Sequence, residues 1–163
     1  MSIAALTKNY KFATNKGAKV RQKWQKPPEG KVKVNVTFDE SVVCVSVGTI
    51  IRNSVGVAIA ASHSYIPHLV DASMAEAYAL KEGLMLAQFI GCNRPILQSD
   101  CMGVVETIKD GGFSATLAAS LNDECNIIWN GFQKISIEHY TRDANQVAHE
   151  LARRAMQSKQ NYN

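Results

Sequence analysis

Three stretches of strand-type alternation follow one another before any helical period begins, and that order limits the possible folds more than any other feature of the chain. Lys31 to Phe38 alternates strictly, with Val32, Val34, Val36 and Phe38 on one face and Lys31, Lys33, Asn35 and Thr37 on the other. The polar set marks a wet or functional face. Val42 to Ile51 is β-branched and nearly continuous, and Arg52-Asn53-Ser54-Val55-Gly56 punctuates it before a further run from Val57 through Ser64. That is the pattern of a hairpin. Three strands so close in sequence pair most simply as an antiparallel meander.

The period then changes. Ser73 and Glu76 have the spacing of a capping box, and Met74, Ala77, Tyr78, Leu80, Leu84, Ala87 and Ile90 keep an apolar stripe at helical spacing until Gly91. Gly83, inside this helix, either costs about 1 kcal/mol relative to Ala or lets the backbone approach the sheet closely. A short strand from Ile96 to Ser99 follows, then Asp100. Helices are expected from about Cys101 to Lys109, Ser114 to Asn130 and Ala144 to Gln157, with a strand from Lys134 to Tyr140 before the last. The order β-β-β-α-β-α-α-β-α predicts an α/β fold. Its sheet is five-stranded and mixed, three antiparallel strands then two parallel, with helices on both faces.

With 163 residues the chain has room for one domain of ordinary size. Its charge is uneven. Lys8, Lys11, Lys16, Lys19, Arg21, Lys23 and Lys26 precede the first acidic residue, Glu29, whereas Glu29 to Asn163 hold 11 basic and 14 acidic side chains, net −3. The basic pI of about 8.9 therefore belongs to the start of the chain, not to its body. Residues 1–23 read as a flexible basic arm, 24–157 as the folded domain and 158–163 as a tail. Lys8, Lys11, Lys16, Lys19, Arg21 and Lys23 are the candidates for non-specific attraction to nucleic acid. Trp24 and the two prolines of WQKPPEG form a stiff lead-in segment with one large apolar ring to dock. Cys44, Cys92, Cys101 and Cys125 lack the close pairing of a zinc site or a disulfide framework, so free thiols in a reducing compartment are expected. No apolar run approaches the ~20 residues of a membrane span, so no membrane partner is expected. Without a secretory signal pattern at the start, the expected location is intracellular, in cytoplasm or nucleus, with an organelle left open.

Asp100 closes the fourth strand, where open α/β sheets usually place their ligands. Glu76 lies one turn into the first helix. If that turn faces the end of the first strand, the two carboxylates come close enough to share a divalent cation.

The segments WQKPPEG into KVKVNV, then GTIIRNSVG, AEAYALKEGLMLA, QSDC and HYTRDANQVAHELARRA stand in an order that resembles the reverse-transcriptase-like, ribonuclease H-like domains abundant in plant genomes. The resemblance runs from Trp24 to about Met156. It implies four acidic or near-acidic positions holding two Mg²⁺ ions, which generate a hydroxide and stabilise the departing 3′ oxygen. Glu76 and Asp100 match two of them. Thr37 stands where the first aspartate is expected and His149 where the last commonly is. A hydroxyl and an imidazole are poor ligands for Mg²⁺, which prefers anionic oxygen. Asp39 shares the face of Thr37 and is the candidate substitute ligand, although its backbone lies almost 7 Å further on at ~3.3 Å per residue. His139 is either a proton relay or a strand-end histidine paired with backbone or with Asp143. Arg142 and Asn145 are expected to fix the last turn, Arg142 as partner to a carboxylate and Asn145 as a local backbone acceptor.

These matches imply a catalytically impaired ribonuclease H-like domain with no tightly bound cofactor, weak Mg²⁺ or Mn²⁺ binding, and a function carried by contact with a protein partner. Two alternatives remain open. One is a Mg²⁺- or Mn²⁺-dependent endoribonuclease on RNA/DNA hybrids that uses Asp39. The other is a nucleic-acid-binding module, for hybrid or RNA, without hydrolysis.

Overall fold

A computed structural model describes residues 23–40, 44–69, 71–112 and 119–161. The arm cations Lys8, Lys11, Lys16, Lys19 and Arg21, and the expected helical start at Ser114, lie outside the described residues. The elements are β1 (Val32–Glu40), β2 (Cys44–Arg52), β3 (Ala58–Pro67), α1 (Ala72–Phe89), β4 (Pro95–Ser99), α2 (Met102–Gly111), α3 (Ala119–Gly131), β5 (Ser136–His139), a 3₁₀ turn (Arg142–Ala144) and α4 (Gln146–Ser158). They form one five-stranded sheet in the order β3-β2-β1-β4-β5. β1, β2 and β3 pair antiparallel, whereas β1 with β4 and β4 with β5 are parallel. This is the mixed sheet expected from the element order.

Alternation along β1 decides which helix meets which face. Val34 and Val36 turn toward α1, where a Cβ on Gly83 would stand 2.5 Å from Val36 Cγ1. Gly83 is thus the close-approach residue, and the helix axis lies near the sheet because no side chain intervenes. The opposite face meets α4: Ser46 Oγ donates to the Ala152 carbonyl at 2.6 Å, and Ala148, Ala152 and Ala155 are all fully buried. Helices therefore cover both faces. The core unites Val34, Val36, Val45, Val47, Ile51, Leu80, Leu84, Leu97, Val105 and Ile137. α3 packs beside α1, with an ion pair from Lys81 to Glu124 and contact between Ala77 and Leu121.

Two local expectations change. The α1 cap is Asp71, whose carboxylate accepts from the backbone N–H of Ser73 and Met74, in place of a Ser73–Glu76 box. Glu76 is left with its carboxylate available for other partners. The polar face of β1 is also not wet: Lys33, Asn35 and Thr37 are 6 %, 1 % and 2 % exposed. Part of that cover is the segment from Lys23 to Pro28, here called the strap. Tyr140 donates its hydroxyl proton to the Lys23 carbonyl at 2.6 Å and accepts from Gln25 N–H at 3.0 Å. Lys33 Nζ donates to the Gln25 carbonyl at 2.8 Å, and Trp24 Nε1 donates to Asn35 Oδ1 at 3.2 Å. Buried polar groups remain in a core only when hydrogen-bonded, so the strap and this face of the sheet satisfy one another.

Candidate functional site

Thr37, Glu76 and Asp100 converge at the C-terminal ends of β1 and β4. β4 ends at Ser99, whose side chain accepts from the Cys101 N–H at 3.1 Å, a local bond that turns the chain sharply into α2. The Tyr140 N–H holds the Ser99 carbonyl at 2.9 Å, so the strand tip carrying Asp100 is fixed from both sides. Thr37 Oγ1 lies 3.4 Å from each oxygen of Asp100 and donates to that carboxylate. Asn145, 2 % exposed, donates its amide N–H to the Val36 carbonyl at 2.9 Å and pins β1 one residue before Thr37. The expected role of Asn145 as a local acceptor is thus replaced by a bond to a strand 109 residues away in sequence. Arg142 Nε stands 3.6 Å from Asp100 Oδ2, the carboxylate partner expected for it.

Glu76 enters from the second turn of α1. Its pKa is raised chiefly by burial; the Cys101 thiol, which donates to it, pulls the other way, and the negative charge of Asp100 adds to the rise. Burial, and after it the same bond to Glu76, push the Cys101 thiol up to about 11, so it stays protonated and inert near neutrality. A carboxylate with a raised folded-state pKa favours folding in its protonated form, and that advantage is lost as pH rises through the raised value. Glu76→Gln keeps an acceptor for Cys101 and removes the charge. The variant is expected to be more stable than the parent at pH 7.5, with the gain vanishing below the ordinary glutamate range. Urea unfolding at pH 7.5 and pH 4 checks this; an equal difference at both would refute it.

Sequence reasoning missed the polar ladder that crosses the same face. Asn35 donates to Gln98 Oε1 at 2.8 Å, and Gln98 donates to Glu138 Oε2 at 3.0 Å, linking β1, β4 and β5. The signal was Asn35 and Gln98 at strand positions that a soluble face would not require.

The remaining candidates lie around the cluster, beside Arg142 and Ser99 or further along β1. Among the described residues no group of three or more His, Cys, Asp or Glu side chains is placed to hold a metal ion, so Asp39, Glu76 and Asp100 do not form one. Asp39 pairs in register with Ser46, two residues past Thr37. His149 is half-buried and lines a cleft of about 340 Å³ with Arg142, Asp143, Gln146, Glu150 and Arg153. His139 ends β5 opposite Ser99 and is half-buried. The donor set at the strand tips is two carboxylates and one neutral hydroxyl, and the hydroxyl is already spent on Asp100. A guanidinium beside Asp100 supplies the positive charge that a cation otherwise would. These residues do not fit a pair of Mg²⁺ ions, which need several anionic oxygens arranged around them.

Solved structures show where this architecture recurs. The N-terminal RNase H domain of a Mycobacterium tuberculosis protein, fused to maltose-binding protein, superposes with a TM-score of 0.70 at 22 % identity, over 78 % of this chain and 94 % of that one. RNase H1 from the halophilic archaeon Halobacterium salinarum gives 0.65 at 23 % identity, over 78 % and 97 %. LC11-RNase H1, isolated from compost by a metagenomic approach and solved with an RNA/DNA hybrid, gives 0.64 at 16 % identity, over 79 % and 97 %. At these identities the likeness shows a shared RNase H-like fold. No curated protein sequence gives a significant match. The family model described as Reverse transcriptase-like matches residues 33–155, from the start of β1 nearly to the end of α4. That span takes in the five described strands, apart from Val32 at the start of β1, and the whole strand-tip cluster, and the chain belongs to the Reverse transcriptase-like family.

Proposed function

We propose that this RNase H-like domain hydrolyses RNA/DNA hybrids poorly or not at all and works through contact with a partner protein. The observation that carries the first half is Thr37: a hydroxyl bonded to Asp100 stands in the cluster where the resemblance calls for a carboxylate. Two dications at this spot would share Glu76 and Asp100 alone, too little negative charge to offset their repulsion. Mg²⁺ or Mn²⁺ accordingly binds weakly, and the domain has no resident cofactor. The partner-protein half rests on the loss of that chemistry and on the net acidic body. The plant branch of the family is the home the motif order suggests. Four free thiols, Cys44, Cys92, Cys101 and Cys125, fit a reducing intracellular compartment. Among the described residues no helix is long and apolar enough to cross a membrane.

Hydrolysis is tested directly with a labelled RNA/DNA hybrid in Mg²⁺ and then Mn²⁺. The expected result is no product above the protein-free control. Turnover that disappears in Glu76→Gln and Asp100→Asn would overturn the reading.

A second reading, nucleic-acid binding without hydrolysis, is favoured by the basic start of the chain. It also fits the likeness to LC11-RNase H1, a protein solved in complex with an RNA/DNA hybrid.

A further inference from the structure

Five of the thirteen basic side chains among the described residues, Lys23, Lys26, Lys31, Lys33 and Arg52, belong to the strap, the start of β1 and the end of β2; Lys33 and Arg52 pair across the strands at the end of β1 away from Thr37. Lys23 and Lys26 on the strap are exposed, while Lys31 before β1 and Arg52 at the end of β2 are half-buried. The structure joins them into one surface. The Arg52 guanidinium stacks 4.7 Å from the centre of the Trp24 ring, and Lys33 Nζ lies 6.0 Å from the same centre. The stem of Lys26 runs along the turn after β2, its Cε 3.1 Å from where a Cβ on Gly56 would be. Beside it, Val55 and Val57 present apolar side chains that are 65 % and 56 % exposed.

These charges lack local neutralisation. Among the described residues Lys23, Lys26, Lys31 and Arg52 have no carboxylate partner, and neither do the scattered Arg94, Lys109, Lys134 and Lys159; what sets this surface apart is that its cations adjoin one another around Trp24 and the turn after β2. Within residues 23–33 and 52–57 there are five basic side chains and one acidic, Glu29. Residues 1–22 add five basic side chains and no acidic one, and everything else holds eight basic against thirteen acidic, net −5. A body of one sign with a compact end of the other steers a polyanion to that end and repels it elsewhere. Burial also lowers the Arg52 pKa, partly offset by Tyr140, so a phosphate placed there would relieve an unmet cost.

We propose that a single-stranded nucleic acid binds this end of the sheet, with its phosphates on Lys23, Lys26, Lys31 and Arg52 and its unpaired bases against Val55 and Val57. The surface is separate from the strand-tip cluster and gives the nucleic-acid reading above, on which it rests, a definite location. Phosphates supply the affinity and its salt dependence, and unpaired bases, unlike those stacked within a duplex, are free to be splayed against Val55 and Val57.

The test uses the full chain and a fluorescein-labelled 15-mer of oligouridine, followed by anisotropy from 50 to 200 mM KCl. Three to four phosphate contacts give a slope of log K on log salt of about −2 to −3. The double variant Lys26→Glu/Lys31→Glu is expected to weaken binding at least tenfold and flatten the slope, with an unchanged circular dichroism spectrum. Lys109→Glu/Lys134→Glu is expected to bind like the parent. If the parent binds but Lys26→Glu/Lys31→Glu loses no more than Lys109→Glu/Lys134→Glu, the location is wrong and the broader reading stands. No binding by the parent overturns both. A duplex hybrid outcompeting the oligouridine, or binding only to vesicles of phosphatidylserine and phosphatidylcholine, overturns the single-strand assignment.

Discussion

Thr37→Asp is expected to convert the strand-tip cluster from a metal-indifferent site into a metal-dependent one. In the parent, Thr37 Oγ1 gives Asp100 a neutral donor 3.4 Å from each carboxylate oxygen, and Arg142 offsets the charge from outside at 3.6 Å. The variant puts a carboxylate at a position only 2 % exposed, beside Asp100 and close to Glu76, whose pKa is already raised by burial and by Asp100. Two like charges ~4 Å apart repel by about 4 kcal/mol at an effective dielectric constant near 20, an amount partly relieved if one of them takes a proton. In EDTA the variant should therefore unfold at lower urea, with a loss of about 2–4 kcal/mol. Millimolar Mn²⁺ should restore most of that loss, because a ligand that binds only the folded form stabilises it by mass action. The parent should respond to Mn²⁺ hardly at all. Adding His149→Asp should strengthen the response, and titration calorimetry should then show a binding isotherm where the parent gives none. A Thr37→Asp protein that is equally stable with and without Mn²⁺ would mean that the three side chains do not share a site.

How much of this cluster was legible in the sequence depended on the range of the interaction involved. Helix phase and strand end, which are local properties, made Glu76 and Asp100 possible neighbours, and the resemblance singled them out; the tips of β1 and β4 meet as parallel neighbours, with Val36 opposite Ser99. Gly83 was readable as an anomaly, a glycine in a helix whose stripe was otherwise apolar. The roles of Asn145 and Lys33 were not. Asn145 bonds to a strand laid down more than a hundred residues earlier, and Lys33 is buried because the strap crosses it. The strap itself was anticipated only as a docking tryptophan, since nothing local in WQKPPEG says that Tyr140 and Asn35 will receive it. A sequence displays periodicity and punctuation directly. It displays a buried polar network only as residues that do not suit their face, such as Asn35 and Gln98, and leaves the partners unnamed.

Gly48→Ala should be the most damaging single-methyl change in the domain, and comparison with two other glycines shows why. Gly48 pairs with Thr37 across β1 and β2, and a Cβ there would overlap the Ala148 carbonyl oxygen and come 2.6 Å from the Ala152 nitrogen. Both obstacles are helix backbone, which cannot rotate aside as a side-chain tip does. α4 would have to lift from the sheet, drawing Asn145 off the Val36 carbonyl and Ser46 off Ala152. At Gly83 the obstacles are the branches of Val36, Val34 and Leu97, which can shift rotamer, so Gly83→Ala should cost about 1–3 kcal/mol. At Gly103, in α2, nothing lies within 4 Å of an added Cβ, and alanine should stabilise by up to about 1 kcal/mol through helix propensity. Gly48→Ala should lose more than about 3 kcal/mol, a large share of the roughly 5–15 kcal/mol that typically holds a domain folded. Urea midpoints for the three variants should therefore fall in the order Gly103→Ala, Gly83→Ala, Gly48→Ala, with the first above the parent. A Gly48→Ala midpoint equal to the parent's would place α4 away from this face of the sheet and remove the contact that sets Thr37 in position.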